Sequence, residues 1–187
     1  AIAPTDPIVP PTWDVVADDF ESGSLAAWST VEPSRLSLLP GGGYNGSTGL
    51  AVAVGQDDAY IYRSRVAYAV EGYLTFWLNP NGVLLPEPTP NYWPPGTSLC
   101  AGEVRSSASD WWPPLVGFYL RKPPGQSYQG YIAYPKTSGY YYDWQTGAFP
   151  LVDGWQKITL GYRIDEWVAV WVNDTLVRYY DSDIVHD

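Results

Sequence analysis

The chain has 187 residues, of which 45% are apolar, 16% aromatic and only 16% charged, enough for one sizeable hydrophobic core with aromatic material left over. Its formal charge is −10 and no cluster of Lys or Arg occurs, which argues against nucleic acid and anionic membrane surfaces as partners. A single cysteine, Cys100, excludes an internal disulfide and a thiolate metal centre built from this chain alone.

Residues 1–17 form a leader, AIAPTDPIVPPTWDVVA, with Pro4, Pro7, Pro10 and Pro11 set among Ile2, Ile8, Val9, Trp13, Val15 and Val16. It is too proline-broken for a helix and too apolar for a plain linker. An extended segment of this kind suits docking on another surface. The start at Ala1 and the absence of Met lead us to expect a processed, secreted protein at the cell surface, although no signal segment or run of membrane-spanning length is present.

From Asp18 onward helix periodicity is nearly absent, and 18 Gly and 18 Pro are spread throughout. Short runs of β-branched and aromatic residues mark strands at LAVAV (50–54), AYIYRSRVAYAV (59–70), YLTFWL (73–78), LVGFYL (115–120) and SYQGYIAY (127–134), and SLCAGEV adds another. The stretch GGGYNGSTG (41–49) has no Lys and no following helix, so it is a strand-linking turn and not a phosphate loop. Residues 79–114 make a long connection in which Tyr92, Trp93, Trp111 and Trp112 stand among prolines, a rigid aromatic loop over one end or face.

Near the C-terminus the alternation of WQKITLGY predicts Ile158, Leu160 and Tyr162 in the core. In WVAVWV both faces are apolar, Val168, Val170 and Val172 on one and Trp167, Ala169 and Trp171 on the other, so the strand is covered on both sides. Asn173-Asp174 then supplies a tight hairpin turn into TLVRYY, and Asp165-Glu166 serves similarly one strand earlier. These meandering strands predict an all-β fold of two packed antiparallel sheets.

Several stretches carry a family resemblance: DDFESGSLAAW (18–28), GGYNGSTGLAVAV (42–54), EGYLTFWLNP (71–80) and above all DGWQKITLGYRIDEWVAVWVNDTLVRYY (153–180). Their order resembles the concanavalin A-like (laminin G-like) superfamily. The resemblance implies a two-sheet antiparallel jelly-roll β-sandwich over residues 18–187, preceded by the extended N-terminal segment. It marks a fold that hosts sugar binders, hydrolases and structural modules alike.

The hydrolases of that superfamily pair carboxylates in an E-x-D-x-x-E type pattern so that both face one cleft. No such pattern occurs: Glu21, Glu32, Glu71, Glu87, Glu103 and Glu166 are isolated, and the one histidine, His186, is next to last. The expectation is therefore a non-enzyme. The resemblance also implies a structural Ca²⁺ between the first and last strands, with Asp18, Asp19 and Glu21 meeting Asp181 and Asp183; the alternative is surface acids at strand ends.

Flat aromatic rings beside polar groups bind sugars, and Tyr92, Trp93, Trp111 and Trp112, or Tyr141 and Trp144 in GYYYDWQ, supply such rings; equally they suit a covered sheet face or a subunit contact. Two glycosylation sequons begin at Asn45 and Asn173.

Two functional expectations follow. One is a secreted structural or adhesive protein that assembles with copies of itself, its leader (Ile2, Ile8, Val9, Trp13 and Val15) adding a strand to a neighbouring subunit. The other is a carbohydrate-binding module or lectin with glycans as partners. In neither does the leader's role follow uniquely, since a leader that folds back on its own domain has the same composition.

Overall fold

A computed structural model describes residues 18–53, 59–63, 69–80, 98–105, 114–123, 125–136, 139–142, 147–182 and 184. These residues are all-β, in four antiparallel sheets, with no α-helix among them. The described residues divide between two compact units, one reaching from Asp18 to Arg63 and one from Ala69 to Ile184.

The smaller unit holds strands β1 (Ser29–Val31), β2 (Leu36–Leu39), β3 (Gly49–Val52) and β4 (Tyr60–Tyr62) in two two-stranded sheets, β1 with β4 and β2 with β3. The glycine-rich stretch links β2 to β3, as its composition predicts. Gly43 has no room for a side chain, because a Cβ there would lie 2.5 Å from Ser47 Oγ. Asp18 organises the start of this unit: its carboxylate accepts the Phe20 N–H at 2.8 Å and the Trp28 indole N–H at 2.6 Å. The first of these bonds turns the chain sharply, which holds Phe20 at φ +60°.

The larger unit contains β5 (Glu71–Leu78), β6 (Ser98–Val104), β7 (Val116–Arg121), β8 (Gln129–Lys136), β9 (Gly139–Tyr142), β10 (Phe149–Pro150), β11 (Gln156–Arg163), β12 (Trp167–Val172) and β13 (Thr175–Tyr180). A four-stranded sheet runs β13-β12-β11-β5, and a five-stranded sheet runs β10-β8-β7-β6 with β9 also on β8. The two sheets share one core in sandwich-like fashion, with Ile158, Leu160, Val168 and Val170 from one and Val116, Phe118, Leu120, Ile132 and Tyr134 from the other, all without solvent-exposed surface. Burial of such side chains contributes roughly 1.5–3 kcal/mol each, which makes this cluster the main source of the unit's stability. Phe118 packs between the layers, its ring 6.2 Å from Phe76 and 6.0 Å from Phe149.

The reading of the last three strands matches the structure in detail. Ile158, Leu160 and Tyr162 are buried, and both faces of β12 are buried. Asn173 and Asp174 form the two-residue turn with φ of 50° and 64°, the left-handed pair that a type I′ hairpin requires. Asn173 adds a side-chain bond, its Oδ1 accepting the Lys157 N–H at 2.9 Å.

The outer face of the four-stranded sheet forms a second, aromatic cluster of Trp167, Ala169 and Trp171 with Tyr73, Leu176 and Tyr179. Tyr73 donates its hydroxyl to Glu71 Oε1 at 2.6 Å, and burial, followed by that carboxylate, raises its pKa above the ordinary phenol value. Much of the aromatic surplus is thus internal: Tyr131 and Tyr134 are fully buried, while Tyr60, Tyr62 and Trp77 are exposed.

Candidate assembly surface

In an isolated sandwich the two lateral edges are where ladder hydrogen bonding stops and the core meets solvent. The two edges of the larger unit differ in how they are finished.

At the edge where β13 lies, side chains and backbone span the layers. Arg178 donates from Nε to Gly147 O at 2.7 Å and from Nη2 to Ala148 O at 3.2 Å, and its guanidinium lies over the Phe149 ring. Tyr134 of β8 stacks on Tyr180 of β13 with ring centroids 4.9 Å apart. Beyond β13, Ile184 forms a β-bridge with Lys136, so the chain crosses from one sheet to the other.

The opposite edge is formed by β5 and β6. Each is terminal in its sheet, so no described strand pairs with the second side of either. Their inward side chains, Leu74, Phe76 and Leu78 on β5 and Leu99, Ala101 and Val104 on β6, pack on the core yet remain only partly buried. Inward side chains of the interior strands β7, β11 and β12 include seven with no exposure: Val116, Phe118, Leu120, Ile158, Leu160, Val168 and Val170.

The two strands differ in regularity. Strand β5 pairs with β11 in unbroken register from Gln156↔Leu78 to Arg163↔Glu71. Strand β6 carries a bulge at Ala101, between Cys100↔Tyr119 and Gly102↔Phe118. The bulge turns both Ala101 and Gly102 toward the core, and Gly102 is needed there because a Cβ would lie 2.7 Å from the Phe76 ring. On the other face of β6, Arg105 binds Glu103, and the Cys100 thiol donates to the same carboxylate at 3.7 Å. Cys100 keeps exposed surface while lying amid dense protein, and that desolvation, followed by the Glu103 charge, raises its thiol pKa well above the ordinary value.

The residues singled out from sequence fall as follows. Asp18 is occupied by two N–H donors, Asp19 accepts the Glu21 N–H at 3.1 Å, and Glu21 accepts the Thr48 N–H. These carboxylates serve turns of the smaller unit, while Asp181 belongs to the larger unit, follows β13 and is exposed. No group of three or more His, Cys, Asp or Glu suited to a metal ion occurs among the described residues. Asp183, which completes the expected calcium set, lies outside them, as do Tyr92, Trp93, Trp111, Trp112, Trp144, the Tyr141 side chain and the leader residues Ile2, Ile8, Val9, Trp13 and Val15. Asn45 and Asn173 both stand exposed in turns at positive φ.

The edge residues Leu74, Phe76, Leu99 and Gly102 were not marked as functional by sequence. Alternation in YLTFWL identifies an inward face but carries no sign of whether a strand has one neighbour or two. No family model, curated protein or solved structure matches this chain.

Proposed function

We propose that this chain is a non-enzymatic structural or adhesive protein of the cell exterior, whose sandwich has the jelly-roll plan of the laminin G-like group and which assembles with copies of itself through its N-terminal extension. The observation that carries this reading is the contrast between the two edges of the larger unit. One is stitched across by Arg178, Tyr180 and Ile184. The other has six inward apolar side chains on two terminal strands that are only partly buried, as Val177 and Tyr180 on β13 are. An apolar edge of this kind is a template for strand addition, and the leader is a proline-rich, partly apolar sequence able to supply one. A head-to-tail contact that does not close into a ring gives a filament.

Electron microscopy of the full chain beside a form lacking residues 1–16 tests the proposal. Filaments or layers in the first and dispersed particles in the second are expected. Dispersed monomers of the full chain at high concentration would refute it.

A carbohydrate-binding reading retains one specific support. Tyr60 and Tyr62 are exposed on the same side of β4, with ring centroids 6.1 Å apart and planes inclined at 52°, so each offers a separate aromatic face of the kind sugars stack on. A glycan array with Tyr60→Ala and Tyr62→Ala variants tests it, and binding that is absent or unchanged by both would remove it.

A further inference from the structure

The two Asn-x-Ser/Thr sequons stand in turns of different construction, and we infer that Asn45 carries an N-linked glycan whereas Asn173 is withheld from modification by its hairpin. This assignment rests on the reading of the chain as a protein of the cell exterior, because such sequons are modified in chains that leave the cytoplasm.

Transfer joins the Asn Nδ2 to the first sugar carbon of a lipid-linked oligosaccharide. The N–C bond forms, the bond from that carbon to a polyprenyl diphosphate breaks, the diphosphate leaves with the electron pair, and the amide loses one proton. A transferase must reach the amide nitrogen and read the hydroxyl two residues further on. All three residues of a sequon therefore have to come away from the long-range pairings of the fold.

Asn45-Gly46-Ser47 meets that requirement. The three residues lie between β2 and β3 and belong to no strand. The bonds that shape their turn stay within Gly43–Ser47: the Gly46 N–H donates to Gly43 O at 3.3 Å, the Ser47 N–H to Tyr44 O at 3.1 Å and the Gly43 N–H to Ser47 O at 2.7 Å. Asn45 and Gly46 are exposed, as are Pro40, Gly41 and Gly42 before them. Chain neighbours aside, no atom lies within 4 Å of the place a Cβ would take on Gly41 or Gly46. A bulky, hydrated substituent on Asn45 thus has open space around it.

Asn173-Asp174-Thr175 fails it at each residue. Asn173 accepts the Lys157 N–H on Oδ1 at 2.9 Å and donates its own N–H to Lys157 O at 2.8 Å. Asp174 pairs with Lys157 Nζ at 2.8 Å. Thr175, whose hydroxyl would have to be read, opens β13 opposite Val172. Presenting this sequon means opening the hairpin and releasing it from β11. Order of synthesis does not evade the constraint, because β11, β12 and β13 are consecutive and a hairpin closes within about 1–10 μs of becoming available.

Two measurements test the assignment. In the first, the folded full chain, made without glycosylation machinery, is incubated with a single-subunit oligosaccharyltransferase of Asn-x-Ser/Thr specificity and a lipid-linked oligosaccharide. Synthetic peptides 40–51 and 168–180 serve as unfolded references, and glycopeptides are quantified by mass spectrometry. The rate at Asn45 should stay close to that of its peptide, while the rate at Asn173 should fall at least about tenfold below that of its peptide, since several hydrogen bonds must open first. Ser47→Ala should abolish the product at Asn45. Equal retention at the two sites, modification at Asn173 alone, or a 168–180 peptide that is itself not modified would overturn the inference, the last because the hairpin would then protect nothing. The second measurement maps glycopeptides of the chain purified from its own source, where a glycan on Asn45 and none on Asn173 is expected. Both sites occupied, Asn173 alone, or neither in chain recovered from outside the cell would overturn the inference and leave the exterior reading standing. Chain found only inside the cell would remove both.

Discussion

Phe118 and Phe76 are two halves of one edge-to-face pair, and truncating each to alanine measures how unequal the centre and the edge of the core are. Phe118 has no exposed surface and meets Phe76 and Phe149. Removing such a ring costs about 3–5 kcal/mol, from lost transfer energy and the cavity left behind. Phe76 packs on the same core but is only partly buried on a terminal strand, so Phe76→Ala in dilute, unassembled protein should cost roughly half as much, near 2 kcal/mol. Urea unfolding of the larger unit, followed by tryptophan emission and analysed at constant m-value, gives both numbers, and the double variant gives their coupling, about 0.5–1.5 kcal/mol for an aromatic pair. In the proposed assembly the Phe76 penalty should rise toward that of Phe118. Equal losses in the unassembled protein would refute the argument, since they would mean that the β5 edge is as closed as the interior.

Three further outcomes follow from local chemistry. Asn173→Ala should destabilise by about 2–3 kcal/mol, combining a left-handed backbone penalty with loss of the bond to the Lys157 N–H, whereas Asn173→Gly should lose only about 1 kcal/mol; urea midpoints separate the two. Asp18→Ala removes the acceptor for the Trp28 indole and the Phe20 N–H, and should cost the smaller unit about 2–3 kcal/mol, read as a shift in its thermal midpoint. Tyr73 has a raised pKa in the folded state, so the unfolded chain releases its proton first: stability from this group is intact below the ordinary phenol value of 10.0 and declines as pH rises beyond it. Tyr73→Phe should therefore flatten the fall in urea midpoint above about pH 10, compared in a Cys100→Ser background because that thiol acts in the same direction from a lower starting value.

The strands that sequence reveals are those whose pattern is long and two-sided. Alternation in 155–162, the doubly apolar WVAVWV and the Asn173-Asp174 turn suffice to place β11, β12 and β13, because local geometry alone dictates each. SLCAGEV matches β6 residue for residue. Strands β1, β2, β9 and β10 escape notice because they are two to four residues long, and β10 contains Pro150. The acids near Asp18 show a different difficulty, since the carboxylate oxygens that bind a cation are the same oxygens that close a turn, and residue type does not distinguish the two. The edge was hidden for a third reason. Strand β5 finds its partner in β11, with Thr75 opposite Thr159, 84 residues later, so its place at the end of the sheet is a property of non-local pairing.

The proposed self-assembly sets an energetic requirement on the edge formed by β5 and β6. Covering what remains exposed of Leu74, Phe76 and Leu78 yields about 1–3 kcal/mol at the usual value for apolar burial. Association itself costs about 4–15 kcal/mol in lost freedom, so the acceptor edge alone does not hold two subunits together. Ladder hydrogen bonds add about 1 kcal/mol each, and burial of Trp13 and Val15 adds roughly 1.5–3 kcal/mol apiece. The balance turns favourable only when both sets of side chains are buried at once. In the proposed assembly an edge without a leader would stay monomeric, a leader without an edge would stay solvated, and the prolines ahead of Thr12 would reduce the freedom that docking must remove. On the self-assembly proposal the leader and the β5–β6 edge act together, divided between neighbouring copies of the chain.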